Sequence, residues 1–184
     1  PVSTCSALAG LPIGDWDRIR NASRLAWSFC MQGENSRAVA AFEELAPVED
    51  TSGRLWVRQA RELLRADIYL LAKSEPKAMA VARSAFDSTG YQPLNCGYIG
   101  VVSRWRAMLA ADSGGVSDAT KDFDGLLGSL RKFDLVDQAE LVAARLWLDR
   151  SGGEPWVAGR DILAGLLRVL PPAVELQLRR LTMI

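Results

Sequence analysis

The sequence predicts an all-α protein, a right-handed solenoid of about four helical hairpins, and three observations predict it. Apolar residues recur at spacings of three and four along most of the chain, the period of one helix face. No segment shows the alternation of apolar and polar residues that marks a half-buried strand. Small alanines recur at Ala38, Ala78, Ala119 and Ala158, at intervals of 40, 41 and 39 residues. A fixed period of this length is the mark of stacked supersecondary units, because one hairpin cannot bury its own apolar face.

The elements follow in order. Residues 1–14 are small and polar, with Pro12 and two glycines, and read as a flexible lead-in to one helical repeat domain over 15–184. Asp15 is placed to cap a first helix over 16–31, whose Ile19, Ala22, Leu25, Ala26 and Phe29 share a face. Gly33 ends it. Asn35 or Ser36 can cap the second helix, with Ala38, Ala41, Phe42 and Leu45 on one face, and Pro47 closes the unit.

A linker over 47–53 precedes a helix over 54–72, with Val57, Ala60, Leu64, Ile68 and Leu71 on one face. Pro76 then opens a shorter, alanine-rich helix to about Asp87. Gly90 and a loop over 91–97 lead to a helix from about Cys96 to Asp112. Gly114 and Gly115 turn the chain into a helix capped by Ser117 or Asp118. Asp134 starts a helix to Arg150, Gly152 and Gly153 break it, and Pro155 opens a helix through Ile162, Leu163, Leu166 and Leu167. Pro171 and Pro172 stop that one, and a last helix covers about 173–182. Gly33, Gly114 and Gly153 each stand five residues before the recurring alanine, where the second unit has Lys73. Four residues after the alanine come Phe42, Ala82, Phe123 and Ile162, which fill the space against the next hairpin.

Composition narrows the function. Hydrophobic residues make up 49% of the chain, too many for disorder. Lys+Arg and Asp+Glu number 22 each, so the basic excess that non-specific nucleic-acid binding needs is missing. There are no histidines, which removes the commonest general base and metal ligand. Cys5, Cys30 and Cys96 are odd in number and widely spaced, unlike a zinc site or a disulfide framework, and read as free thiols in a reducing cytoplasm. No apolar run approaches the ~18 residues of a membrane span. The chain opens on Pro1 rather than Met, as a piece of a longer protein would.

Sequence fingerprints of enzymes are missing too. Neither GxGxxG nor GxxxxGK[ST] occurs, and residues 10–14 (GLPIG) lack both the lysine and a preceding strand. There is no GxSxG and no serine or cysteine paired with histidine. Glu43-Glu44 and Glu49-Asp50 are adjacent carboxylates that read as solvated charges. No catalytic residue, cofactor or metal is therefore expected.

What remains is a binding surface. Trp27, Trp56, Trp105 and Trp147 fall on the first helix of each unit, where a solenoid has its concave face. They are either core residues between helices or the lining of a groove for a peptide, a protein or a small inducer. Trp27 lies off the stacking face. Projection of the first unit's groove positions onto the others selects Arg20, Trp27, Met31, Asp67, Arg104 and Met108. Arg20 and Arg104 are either solvated or able to hold a carboxylate bidentately. Arg179 and Arg180 read as helix C-terminal charge rather than a basic patch.

Leu25, Ala26, Phe29, Gly33, Ala38, Phe42 and Leu45 resemble the tetratricopeptide repeat pattern in order and spacing. The second unit resembles it through Ala66, Tyr69, Ala78 and Ala85, and the third through Ala107, Ala110, Gly114, Ala119 and Phe123. The fourth is looser and needs a one-residue shift in its front half. The likeness covers about 16–170, with a period near 40 rather than the usual 34. Residues 53–91, with a Gly-Arg start, a long helix, an alanine-rich helix and a closing Gly-Tyr, are similar in style to the sensor arm of LuxR-type bacterial transcriptional activators related to the maltose-operon activator. The resemblance implies a cytoplasmic sensor domain that binds a ligand or a partner, with oligomers possible and no DNA contact of its own. The alternative is a protein–protein adaptor or a secretion or assembly chaperone of the tetratricopeptide class.

Overall fold

The computed structural model describes residues 14–46, 55–89, 98–128, 130–152 and 155–182. The lead-in before Gly14, the 47–53 linker, Gly90, the 91–97 loop, Gly153, Cys5 and Cys96 lie outside the described residues, as does the Trp56 side chain. Among the described residues there are nine α-helices, one 3-10 turn at Leu130–Lys132 and no strand. The helices are α1 Asp15–Met31, α2 Asn35–Leu45, α3 Leu55–Leu71, α4 Glu75–Thr89, α5 Ile99–Ser113, α6 Val116–Leu127, α7 Leu135–Arg150, α8 Gly159–Val169 and α9 Pro172–Thr182. No helix among them is long and apolar enough to cross a membrane.

The chain divides into two compact units, residues 1–92 and 93–184. In the first, α1 packs along α2 and α3, and α3 along α2 and α4. Ala22, Ala26, Ala38 and Ala60 are fully buried, so the helix backbones approach closely, while Ile19, Phe42, Leu63 and Ile68 fill the remaining space. From α3, Arg61 Nε donates to the carbonyl of Ala46 at 2.5 Å, which satisfies an orphan carbonyl at the end of α2. Arg61 and Arg65 both pair with Glu43 and with Glu62. Burial alone would lower the Arg65 guanidinium, but Glu43 and Glu62 hold it above its ordinary value. Glu43 is thus tied into the joint between α2 and α3 rather than being a freely solvated charge.

In the second unit α7 is central, packing against α5, α6, α8 and α9. One side of α7 (Leu141, Ala144, Leu148) joins Ala107, Phe123 and Phe133 in a core with α5 and α6. The other side (Ala139, Val142, Ala143, Leu146) joins Leu163, Leu167 and Leu178 in a core with α8 and α9. A helix covered on both sides carries buried residues nearly all round.

Three of the hairpin turns share one hydrogen-bond pattern. The residues with positive φ are Gly33 (+78°), Lys73 (+60°) and Gly114 (+80°). Each is followed by a residue whose N–H donates to the carbonyl five positions back: Glu34 to Phe29 at 2.9 Å, Ser74 to Tyr69 at 2.8 Å and Gly115 to Ala110 at 3.0 Å. This is the Schellman arrangement. The next helix restarts at once, at Asn35, Glu75 and Val116. The expected caps therefore give way: the N-cap positions are Gly14, Glu34 and Gly115, with no side-chain cap bond. Asp134 does act as a cap, accepting from the Asp137 N–H at 2.9 Å.

Lys73 holds, with a Cβ, the left-handed conformation that glycine takes at Gly33 and Gly114. Lys73→Gly is expected to raise the stability of the first unit by about 0.5–1 kcal/mol, read as a higher urea midpoint. The converse Gly33→Ala adds a Cβ that meets nothing within 4 Å. Its expected loss of about 1 kcal/mol is therefore conformational alone.

The fourth hairpin departs from this pattern. Gly152 carries the positive φ (+99°), its N–H donates to the Asp149 carbonyl at 3.4 Å, and α8 does not begin until Gly159. Ala158 and Ile162 are exposed, whereas Gly159 and Leu163 are buried. The repeat register assigned to Ala158 and Ile162 is thus off by one residue, because the longer turn delays the helix. Pro155 does not open that helix; it belongs to the turn.

Candidate functional site

The projected groove residues divide between the two units. Arg20, Trp27 and Met31 lie on α1, where Arg20 is exposed and the other two are half-buried. The Trp27 indole N–H finds no acceptor among the described residues. Asp67, on α3, is only 3% exposed and sits inside the first unit rather than on an open face.

Arg104 and Met108, on α5, are 1% and 6% exposed. Arg104 is directed at Glu140 of α7, with Nη2 3.9 Å from Oε1, so its charge is answered from within the fold and not by a ligand. Arg104, Met108, Ala143, Ala144, Trp147 and Leu181 enclose a cavity of about 10 Å³, room for one water at most. Trp105 is fully buried and belongs to the core. Cys30 is buried too, and burial pushes its thiol up from its ordinary value. Among the described residues no group of three or more Cys, Asp or Glu is placed to hold a metal ion.

A larger concavity than this lies elsewhere among the described residues. A cleft of about 820 Å³ is bounded by α7, α8, α9 and the turn that precedes α8. Leu146, Leu163, Ala164 and Leu167 form its apolar lining, with Pro155, Trp156 and Val157 from the turn. Among the described residues, Arg150, Arg160 and Arg179 supply its positive charges and Asp149 its one carboxylate.

The turn is pinned where it forms the cleft wall. The Trp156 backbone N–H donates to Asp149 Oδ2 at 2.9 Å. Asp149 also accepts from Arg145, whose Nε donates to Asp124 Oδ1 at 2.9 Å. The Trp156 ring rests where a side chain on Gly159 would be: a Cβ there would lie 2.4 Å from Trp156 Cε3 and 2.9 Å from Leu146 Cδ2.

Gly159→Ala is therefore expected to dislodge Trp156 and cost about 1–3 kcal/mol. Gly165, on the same helix, has nothing within 4 Å of an added Cβ. Gly165→Ala is expected to stabilise by roughly 0.5–1 kcal/mol. Thermal unfolding of the two variants, moving in opposite directions, checks both.

Sequence reasoning missed this cleft because it expected the groove on the first helix of each hairpin. The available signal was the extra length of the Gly152–Gly159 turn together with Trp156, since a longer turn carrying an aromatic departs from the short turns of the other hairpins. No family model, curated protein or solved structure matches the chain.

Proposed function

We propose that the chain is a non-enzymatic binding module built from stacked helical hairpins, acting as the sensor or interaction domain of a bacterial transcriptional regulator. The observation that supports this reading is the cleft beside α8. It is concave, mostly apolar, rimmed by a few polar groups and within the size range of small-molecule sites. The recurring Schellman turns and the small buried Ala38, Ala78 and Ala119 favour a repeat scaffold under it. A ligand held between α7, α8 and α9 acts as a signal where it binds one arrangement of these helices better than another, the physical requirement for a sensor.

The test is to incubate the protein with a deproteinised bacterial extract, isolate it by gel filtration and identify the retained compound by mass spectrometry. The expected result is a compound recovered chemically unchanged and retained about tenfold better than by Trp156→Ala. Conversion of the compound would assign an enzyme instead. Equal retention by the variant would remove the cleft from the reading.

A further inference from the structure

We propose that the cleft between α7, α8 and α9 takes a small amphipathic carboxylate, its apolar body on Leu146, Leu163 and Leu167 and its head group between Arg150 and Arg160. This deepens, and rests on, the reading of the chain as a binding module. The apolar lining calls for a hydrocarbon or aromatic body, since burying such a surface is favourable in proportion to its area. The head group follows from the charges.

Among the described residues three arginines and one aspartate line the cleft, and two of these four charges are already engaged. Asp149 is taken up by Arg145 and by the Trp156 N–H. Arg179 pairs with Glu175, at 3.0 Å through Nε and 2.9 Å through Nη2. Among the described residues no carboxylate is within ion-pairing distance of Arg150 or Arg160. Both are exposed and both line the cleft. Two guanidinium groups at the edge of an apolar cleft match a planar carboxylate, which each can grip with two parallel N–H donors. α8 starts at Gly159, so the positive end of its dipole stands beside Arg160 and adds to the field.

The elements that carry the site divide the work. The α7–α8 turn supplies the aromatic wall, α7 and α8 supply the floor, and the last turn of α7 and the first turn of α8 supply the charge. A cation would meet two like charges there. A neutral molecule of the same body would leave both arginines without a partner and would lose the electrostatic part of the affinity.

The test is a calorimetric titration of the whole chain with three ligands of one body and different charge: decanoate, decanol and decylamine, all below the concentration at which they aggregate. Decanoate is expected to bind saturably, one molecule per chain, about tenfold or more tighter than decanol. Decylamine is expected to bind weakest. In Arg150→Gln/Arg160→Gln the advantage of decanoate over decanol disappears while decanol binding stays as it was. In Arg150→Glu/Arg160→Glu the order of decanoate and decylamine reverses. Both pairs of substitutions are on exposed side chains, and a circular dichroism melt confirms that each variant is folded.

Equal binding of decanoate and decanol, no saturable decanoate binding, or an unchanged preference in the double variants would overturn the proposal. Binding of a leucine-rich tetrapeptide through its free C-terminus, with none of decanoate, would also overturn it and reassign the cleft to a chain end. The two readings fail differently. A neutral or basic compound recovered unchanged from the extract sinks the carboxylate and keeps the module; chemical conversion of a bound acid sinks the module.

Discussion

Glu140→Ala is expected to destabilise the second unit by about 3 kcal/mol, the low end of what removing one member of a buried ion pair costs. Arg104 is 1% exposed, and its Nη2 stands 3.9 Å from Glu140 Oε1. Without that carboxylate the guanidinium keeps its desolvation cost and loses a compensating charge. The surroundings cannot relax to admit water easily, because α5 and α7 cross closely at this level. The Gly100 N–H donates to Asp137 Oδ1 at 2.9 Å, and a Cβ on Gly100 would lie 2.3 Å from Glu140 Oε2. Urea unfolding checks the value, with Glu140→Gln as companion. The amide keeps the volume and loses the charge, so a loss similar to that of Glu140→Ala would show that charge is what matters. A change under about 0.5 kcal/mol, the range of ordinary surface substitutions, would show that Arg104 does not depend on Glu140.

Trp105→Ala is expected to cost about 3–5 kcal/mol, as large-to-small changes of buried aromatics do. Trp105 is fully buried. Trp27, half-buried on α1, makes the useful comparison. Trp27→Ala is expected to cost roughly half as much or less, since less apolar area returns to water. Chemical unfolding of both variants separates a core tryptophan from one with an accessible side. Similar losses would place Trp27 in the core as well.

The all-α character was legible because helix periodicity is a local signal. The first three hairpins were legible because a left-handed turn residue and a small buried alanine recur at one offset. At Lys73 the turn forms without the glycine that marks it elsewhere, since the backbone hydrogen bonds from Lys73 and Ser74 close it. The side-chain caps expected before α2 and α6 were misread for the same reason: once the Schellman turn has directed the chain into the next helix, no capping side chain is required. Arg104 was expected in a groove because projection of the first unit's groove positions selects it, whereas in the structure it is 1% exposed. Its partner Glu140 is two helices further on, where no local pattern connects the two. The fourth hairpin was misplaced by one residue because Pro155, read as the helix start, belongs to the turn, and the helix begins at Gly159. That start is set by Trp156 and Asp149, a contact across the turn. The cleft escaped with it, because the contacts of Trp156 with Asp149 and Gly159 leave no periodic signal in the sequence.

The longer turn before α8 has a consequence for how such a chain can change over generations. The packing of α5, α6 and α7 uses none of residues 155–160. Exchanges at Pro155, Val157 and Arg160 therefore alter the lining of the cleft while that part of the framework stays intact. Insertions in repeat proteins gather at turns on one face for this reason. Changes in the cleft lining and selection for a folded protein then act on largely separate sets of residues. The constrained exceptions are Trp156 and Gly159, which interlock, so that neither is free to vary without the other.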